Sequence, residues 1–375
     1  MADNKENKVL NVPALRFPEF TGEWKSVHLE DVAEFQKKRI SSDLLNNNNY
    51  ISTENILQNF EGIQYSSSIP TNTNVIEYQK GDILLSNIRP YLKKVWFSDR
   101  KGGCSADVFV LRGDKCDQHF LYYVIASDRF INYVMSGVKG VKMPRGDKNQ
   151  MKKYAFSIPT NTEQRKIAKF LSMLDERIKL QNKIIEDLKK LKSAIYQEMF
   201  GSLVAQTLKL GQVAEVVKGK QVNGTELLEQ GDYYVMNGGT LPSGWLYKYN
   251  TEANTISISE GGNSCGYVQY NTSPYWSGGH CYSLKILHPQ ETSDLYLYHF
   301  LKWQEENIMA LRIGSGLPNI QKKDLLHFPV ILPTITQQNK IVLILSAIEE
   351  KVSCEISITQ YFVKQKEYLL SQLFI

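Results

Sequence analysis

The stretch "IPTNTEQRKIAKFLSMLDERI", residues 158–178, returns 174 residues later as "LPTITQQNKIVLILSAIEEKV", residues 332–352. Aligned without gaps from Ile158 to Phe200 against Leu332 to Phe374, thirteen of 43 pairs are identical, among them Pro159/Pro333, Gln164/Gln338, Lys166/Lys340 and Lys192/Lys366. Each copy follows a strand-like run, "YAFSIP" or "HFPVILP", that the proline ends. A threonine just beyond, Thr162 or Thr336, is the expected N-cap of a helix. Apolar residues then recur at Ile167, Leu171, Leu174, Ile178, Ile185, Leu188, Ile195 and Met199. In the second copy Ile341, Leu345, Ile348, Val352, Phe362, Leu369 and Leu373 follow the same heptad spacing. A helix of about 38 residues is roughly 57 Å long. That length outruns a single small module, so the two stripes are expected to bury each other rather than each its own module. The pseudo-two-fold of the repeat makes the expected pairing antiparallel.

The repeat extends outside the helices. "LEDVAEFQK" at 29–37 resembles "LGQVAEVVK" at 210–218, and "GDILLSNIR" at 81–89 is echoed by "NTISISEGG" at 254–262. Pro144 matches Pro318 and Gly140 matches Gly314. "DILLS", "VWFS", "DVFVLR", "TISIS", "GYVQY" and "YSLKI" read as strands bounded by turn residues. "HFLYYVIASDRFINYVMS" and "LYLYHFLKWQEENIMAL" read as helical. The expected fold is α+β: two mixed α/β modules, each followed by a long helix. The partition is residues 1–161, a central helix 162–200, a second module 201–335 and a distal helix 336–375.

Over 375 residues, 42% hydrophobic content allows packed cores and argues against disorder. The opening residues are polar and hold no apolar stretch of signal length, and "IVLILSAI" is too short to span a bilayer, so a cytoplasmic protein is expected. Five scattered cysteines include no CxxC, and the six histidines lack metal-ligand spacing, so neither disulfides nor a metal site is indicated. The net charge of +5 lies in the first half: +4 over residues 1–161 and +3 over 162–200, against −2 over 201–335 and zero over 336–375. A polyanionic partner is compatible with that distribution.

The order of these motifs, with the P-x-x-x-E/Q-Q phrase opening a long helix twice and "NVPALRFPEFTGEW" near the start, resembles the specificity subunit of a type I DNA restriction–modification system. The resemblance covers essentially the whole chain. It implies that each module is a target recognition domain reading one half of a split duplex-DNA target, and that the helices set the gap. It implies no catalysis in this chain, which binds no cofactor. Two adenine-methyltransferase subunits and further restriction subunits would dock on it, and S-adenosylmethionine, ATP and Mg would sit on those partners. One departure concerns docking: the second helix opens with Gln337-Gln338 where the first has Glu163-Gln164.

Two rivals stand beside this reading, a single-chain DNA-modifying enzyme and a coiled-coil adaptor without DNA binding. No Pro-Pro dipeptide supplies an amine-methyltransferase loop, and "SEGGNSCG" and "SGGHCYSL" lack the strand–loop–helix context of a cofactor loop. His280 and Cys281 are adjacent, which in a strand sends them to opposite faces. An adaptor would have no need to vary its two modules. Candidate DNA contacts are the basic and amide residues of loops: Lys37, Lys38, Arg39, Asn87, Arg89, Lys93, Lys94, Lys139, Lys142 and Arg145 in the first module. In the second they are Lys218, Lys220, Gln221, Asn237, Asn263, Arg312, Ser315 and Asn319. Gln164, Lys166, Gln338 and Lys340, at the helix starts, are the candidate docking residues.

Overall fold

In the first module the chain runs β1 (Lys25–His28), α1 (Leu29–Val32), β2 (Ala33–Phe35), β3 (Arg39–Ser41), β4 (Tyr50–Ile51), β5 (Asn74–Tyr78), β6 (Ile83–Ser86), β7 (Val95–Phe97), β8 (Gly102–Cys104) and β9 (Val108–Gly113). Helices α2 (Gln118–Ile125), α3 (Asp128–Ser136) and α4 (Lys148–Lys152) and strand β10 (Ala155–Ile158) complete it, and α5 (Asn161–Gly201) follows. The computed structural model describes residues 11–66, 68–138, 143–314 and 316–375. One sheet has the order β2-β9-β6-β7 and a second β3-β5-β8-β4. Period-2 alternation feeds two cores from the first sheet. Ile83, Leu85, Val95 and Leu111 face Phe120, Leu121 and Phe130 of α2 and α3. Leu84, Trp96 and Val110 face the other way, onto Tyr78 and Cys104 of the second sheet. The apolar run read as helical is two helices, broken where Ser127 caps α3 by accepting from Phe130 N–H.

The second module repeats the plan. Its elements are β11 (Gln206–Lys209), α6 (Leu210–Val213), β12 (Ala214–Lys218), β13 (Tyr233–Met236), β14 (Trp245–Leu246), β15 (Thr255–Ser259), β16 (Val268–Asn271), β17 (Trp276–Ser277) and β18 (Cys281–Ile286). Then come α7 (Asp294–Trp303), α8 (Glu305–Met309), α9 (Lys322–Leu326), β19 (Pro329–Leu332) and α10 (Ile335–Leu373). The sheet β12-β18-β15-β16 corresponds strand for strand to β2-β9-β6-β7. Antiparallel pairs β1·β10 and β11·β19 each lead into a long helix, with Ile158 opposite Lys25 and Leu332 opposite Gln206.

Both long helices start one residue before the expected caps, at Asn161 and Ile335. Thr160 Oγ1, not Thr162, accepts from Glu163 N–H at 3.5 Å. Thr334, not Thr336, precedes α10 and donates from its N–H (3.2 Å) and hydroxyl (3.0 Å) to Gln337 Oε1. The proline before each threonine already ends the strand, so the helix opens at once.

The contacts divide the chain into Met1–Gln181 with Ile358–Ile375, and Asn182–Ser357. Each unit therefore holds one module, one half of α5 and one half of α10, a different partition from that expected by sequence order. In the first unit the helices run antiparallel: Asp175 pairs with Lys366 at 2.5 Å, and Arg177 stacks 5.3 Å over Phe362. Ile167 and Leu171 share a core with Leu369, Leu373 and Phe120. In the second unit Lys192 pairs with Glu349 at 2.5 Å, and Tyr196 and Phe200 share a core with Ile341, Leu345 and Phe300. Lys192/Lys366 and Asp175/Glu349 are repeat partners, so one ion pair is used twice with its helices exchanged.

Candidate nucleic-acid interface

In the first module β6 runs out at Ser86 into Asn87–Arg89, which lies antiparallel to Pro144–Gly146. Arg89 N–H donates to the Pro144 carbonyl at 2.8 Å, Gly146 N–H donates to the Asn87 carbonyl at 3.1 Å, and Ile88 faces Arg145. The second module builds the same pair. Gly262 N–H donates to the Pro318 carbonyl at 3.0 Å, Ile320 N–H donates to the Glu260 carbonyl at 2.8 Å, and Gly261 faces Asn319. One backbone thus carries Asn87, Arg89 and Arg145 in one module and Glu260, Gly262 and Asn319 in the other. Arg89 (φ 50°) and Lys93 (φ 53°) flank a 3₁₀ turn, Pro90–Leu92, in the left-handed region. Such strain gathers at functional loops.

Several candidate cations are already paired. Lys38 meets Glu77 at 2.7 Å, Lys93 meets Asp128 at 2.6 Å, Arg145 meets Asp107 at 2.7 Å and Lys218 meets Glu260 at 2.7 Å. Lys94 gives its ammonium to the Thr53 carbonyl at 2.7 Å, and burial lowers its pKa, so it braces the loop instead of facing a partner. Arg39 donates to the Asn74 carbonyl at 3.3 Å. Among the described residues no carboxylate pairs with the exposed Lys37, Arg89, Lys220 or Arg312. Lys139, Lys142 and Ser315 lie outside the described residues.

Sequence reading missed Lys148. It sits at the start of α4 with its ammonium 4.9 Å from the Phe35 ring and 5.1 Å from the Phe109 ring. Burial first, then the like charges of Lys37 and Lys152, lower its pKa. Three lysines that repel one another are relieved by an anion. The "KNQMKK" run carried the charge but no sign of the aromatic seat.

In the second module the "SGGHCYSL" turn is a place of close approach. A Cβ on Gly219 would lie 2.1 Å from the Gly278 carbonyl oxygen, and one on Gly279 would lie 2.2 Å from Gln221 Oε1. Asn237 is drawn into this turn, accepting from His280 N–H at 3.1 Å. Asn263 is exposed in the turn after Gly262. Cys281 is 2% exposed, and burial pushes its thiol up to about 11, a core residue and not a nucleophile.

The two docking glutamines are corrected by the structure. Gln164 is 2% and Gln338 0% exposed. Gln164 accepts from Asp117 N–H and donates to the Pro159 carbonyl, both at 2.8 Å. Gln338 accepts from Ser293 N–H and donates to the Glu291 and Pro333 carbonyls, all at 2.8 Å. Asp117 and Ser293 cap α2 and α7. Each glutamine thus bolts a long helix to its module. Glu163 is also buried, in a two-bond pair with Arg16 at 2.7 Å, while Gln337 is exposed. Lys166 is exposed, paired with Glu19 and 4.6 Å over the Phe17 ring, and Lys340 is exposed.

Fold and site define a class: two homologous α+β modules that present one loop scaffold with different side chains, each joined to a long helix. Among the described residues no helix is long and apolar enough to cross a membrane. The family described as the type I restriction modification DNA specificity domain matches residues 21–190 and 205–360. The chain belongs to that family, as a member of the type I specificity-subunit group. A chain named as a type I specificity subunit in Mycoplasma pneumoniae is 36% identical over 144 residues, 38% of each chain, so the match spans under half of that relative. The crystal structure of a type I restriction-modification S subunit from M. genitalium shares the fold at TM-score 0.70 and 19% identity, over 97% of this chain and 99% of that one. A chain from a structure of type I complex assembly and conformational transition matches at TM-score 0.57 and 19% identity, over 93% and 97%.

Proposed function

We propose that this chain reads a split duplex-DNA target, one block per module, as the non-catalytic subunit of a cytoplasmic type I restriction–modification complex. In that complex it holds two methyltransferase subunits, with restriction subunits joining them and all cofactors on the partners. The observation that carries the reading is the repeated loop pair: one backbone kept, its outward side chains changed. A scaffold conserved inside one chain while its side chains diverge suits two readers of different base sequences. It suits neither an adaptor nor an enzyme with one active site.

The test is modified-base mapping of the complex reconstituted with its methyltransferase. Replacing residues 29–157 with another family member's module should change one block entirely and leave the other intact. A replacement that altered both blocks, or neither, would refute the reading. Affinity is expected to rest in part on the lysines beside α4. Lys148→Ala should lower the slope of log affinity against log salt by about 0.9, one phosphate contact, with the target unchanged. An unchanged slope would remove Lys148 from the interface.

A further inference from the structure

We infer that Arg145 and Asn319 are equivalent base-reading positions of the two modules, Arg145 taking guanine in its block and Asn319 taking adenine in the other. The inference rests on the proposed function and goes beyond it in naming the residues and the bases. The two positions are separated by 174 residues, the offset of the helix repeat, and each faces the residue two beyond the end of its strand, Ile88 or Gly261. Both side chains are exposed. Both stand on a fixed backbone. Pro144 and Gly146, on either side of Arg145, are bonded to Arg89 and Asn87. Asn319 gives its N–H to the Ile313 carbonyl at 3.0 Å and accepts from Ile313 N–H at 2.8 Å. A reader needs that rigidity, because a bidentate contact fails when its donor wanders.

The chemistry separates these two from the other candidates. Lys148 is crowded by like charge and suits a phosphate. Arg145 has its charge offset by Asp107, which holds Nη1 at 2.7 Å and orients the fork. A tethered, neutralised guanidinium draws phosphate weakly but presents its remaining N–H groups in a set plane, the geometry that meets guanine O6 and N7. Asn319 has no charge with which to draw phosphate. Its amide offers the donor and acceptor that meet adenine N7 and N6.

A second equivalence marks the same loops. Asn87 and Glu260 occupy matching positions one residue past β6 and β15. Asn87 Oδ1 and Glu260 Oε2 are both shut from solvent without a donor among the described residues. Most buried polar atoms in folded proteins have a hydrogen-bond partner. Two exceptions, at one position of a repeat, flag this loop pair in both modules.

The experiment maps methylated targets of the reconstituted complex on a random-sequence duplex library. Asn319→Arg should replace adenine by guanine at one position of the second module's block, and Arg145→Asn should do the reverse in the first. The expected change in discrimination at that position is about ten- to hundred-fold. Asn319→Asp and Arg145→Gln, milder changes checked by thermal melting, keep the test decisive if the exchanges do not fold. They should relax one base position each and leave the other block untouched. Full methylation of an unchanged target by the milder pair would overturn the assignment. A uniform loss across all targets by folded protein would overturn it as well. A wild-type complex that recognises no split target would sink the proposed function instead.

Discussion

A Gln338→Ala chain should lose about 3 kcal/mol of stability in its second unit, and Gln164→Ala somewhat less in the first. Gln338, which has no exposure itself, makes three 2.8 Å bonds. Alanine strands the buried Pro333 carbonyl and removes the partner of the half-buried Ser293 N–H and of the Glu291 carbonyl, and a stranded buried group costs about 1–3 kcal/mol. Partial relaxation and the second lone pair of each carbonyl keep the total below the simple sum. Gln164 makes two such bonds, hence the smaller loss. The damage should spread to α7, because Ser293 caps it and α7 brings Tyr296, Leu297, Phe300 and Leu301 to the core. Native-state hydrogen exchange of the α7 amides is the measurement. A change under about 1 kcal/mol there would show that the bolt carries no weight.

Acid should unlock the second unit before the first. His299 is 1% exposed on α7, with Nδ1 at 2.7 Å from the Tyr196 hydroxyl and Nε2 at 3.2 Å from Ser346 Oγ. Glu349 and Lys192 complete its surroundings, and the Tyr298 ring lies beside it at 5.0 Å. Burial lowers its pKa to about 4, outweighing Glu349, which raises it. The unfolded chain takes up that proton near 6.5. Between those values the unfolded state binds more protons, so stability is full above about pH 6.5 and falls as pH drops toward 4. The loss is about 3 kcal/mol. The matching position in the first unit holds Tyr123, which donates to Asp175 at 2.7 Å and does not titrate in this range. Denaturant unfolding followed by exchange at α7 and at α2, from pH 7 to pH 4.5, should show the slope in α7. His299→Gln should remove it. An acid slope equal in both helices, or one that survives the substitution, would refute the assignment.

The loop candidates were legible as a set and illegible one by one. Nothing near Lys38, Arg145 or Lys218 in the chain announces Glu77, Asp107 or Glu260, which reach them across 38 to 42 residues. Lys94 reads as a surface cation until its carbonyl partner, Thr53, is in place. The glutamines of the repeated phrase stood out because they recur, and recurrence could not say whether they face a partner or the interior.

By itself the sequence determined the local and periodic features: two long helices, the strands before them, the α+β order and the repeat that makes the pairing antiparallel. A proline stop or a heptad seam is written within a few turns of chain, and repetition at a constant offset doubles its signal. Tertiary structure alone decided that each compact unit takes half of each helix, that Gln164 and Gln338 are bolts, and which carboxylate quiets which cation. It alone placed Arg145 and Asn319, already matched by the offset of the repeat, opposite Ile88 and Gly261 on two copies of one loop pair. Those outcomes depend on contacts between residues far apart in the chain, where packing and desolvation choose the partner and no local pattern does.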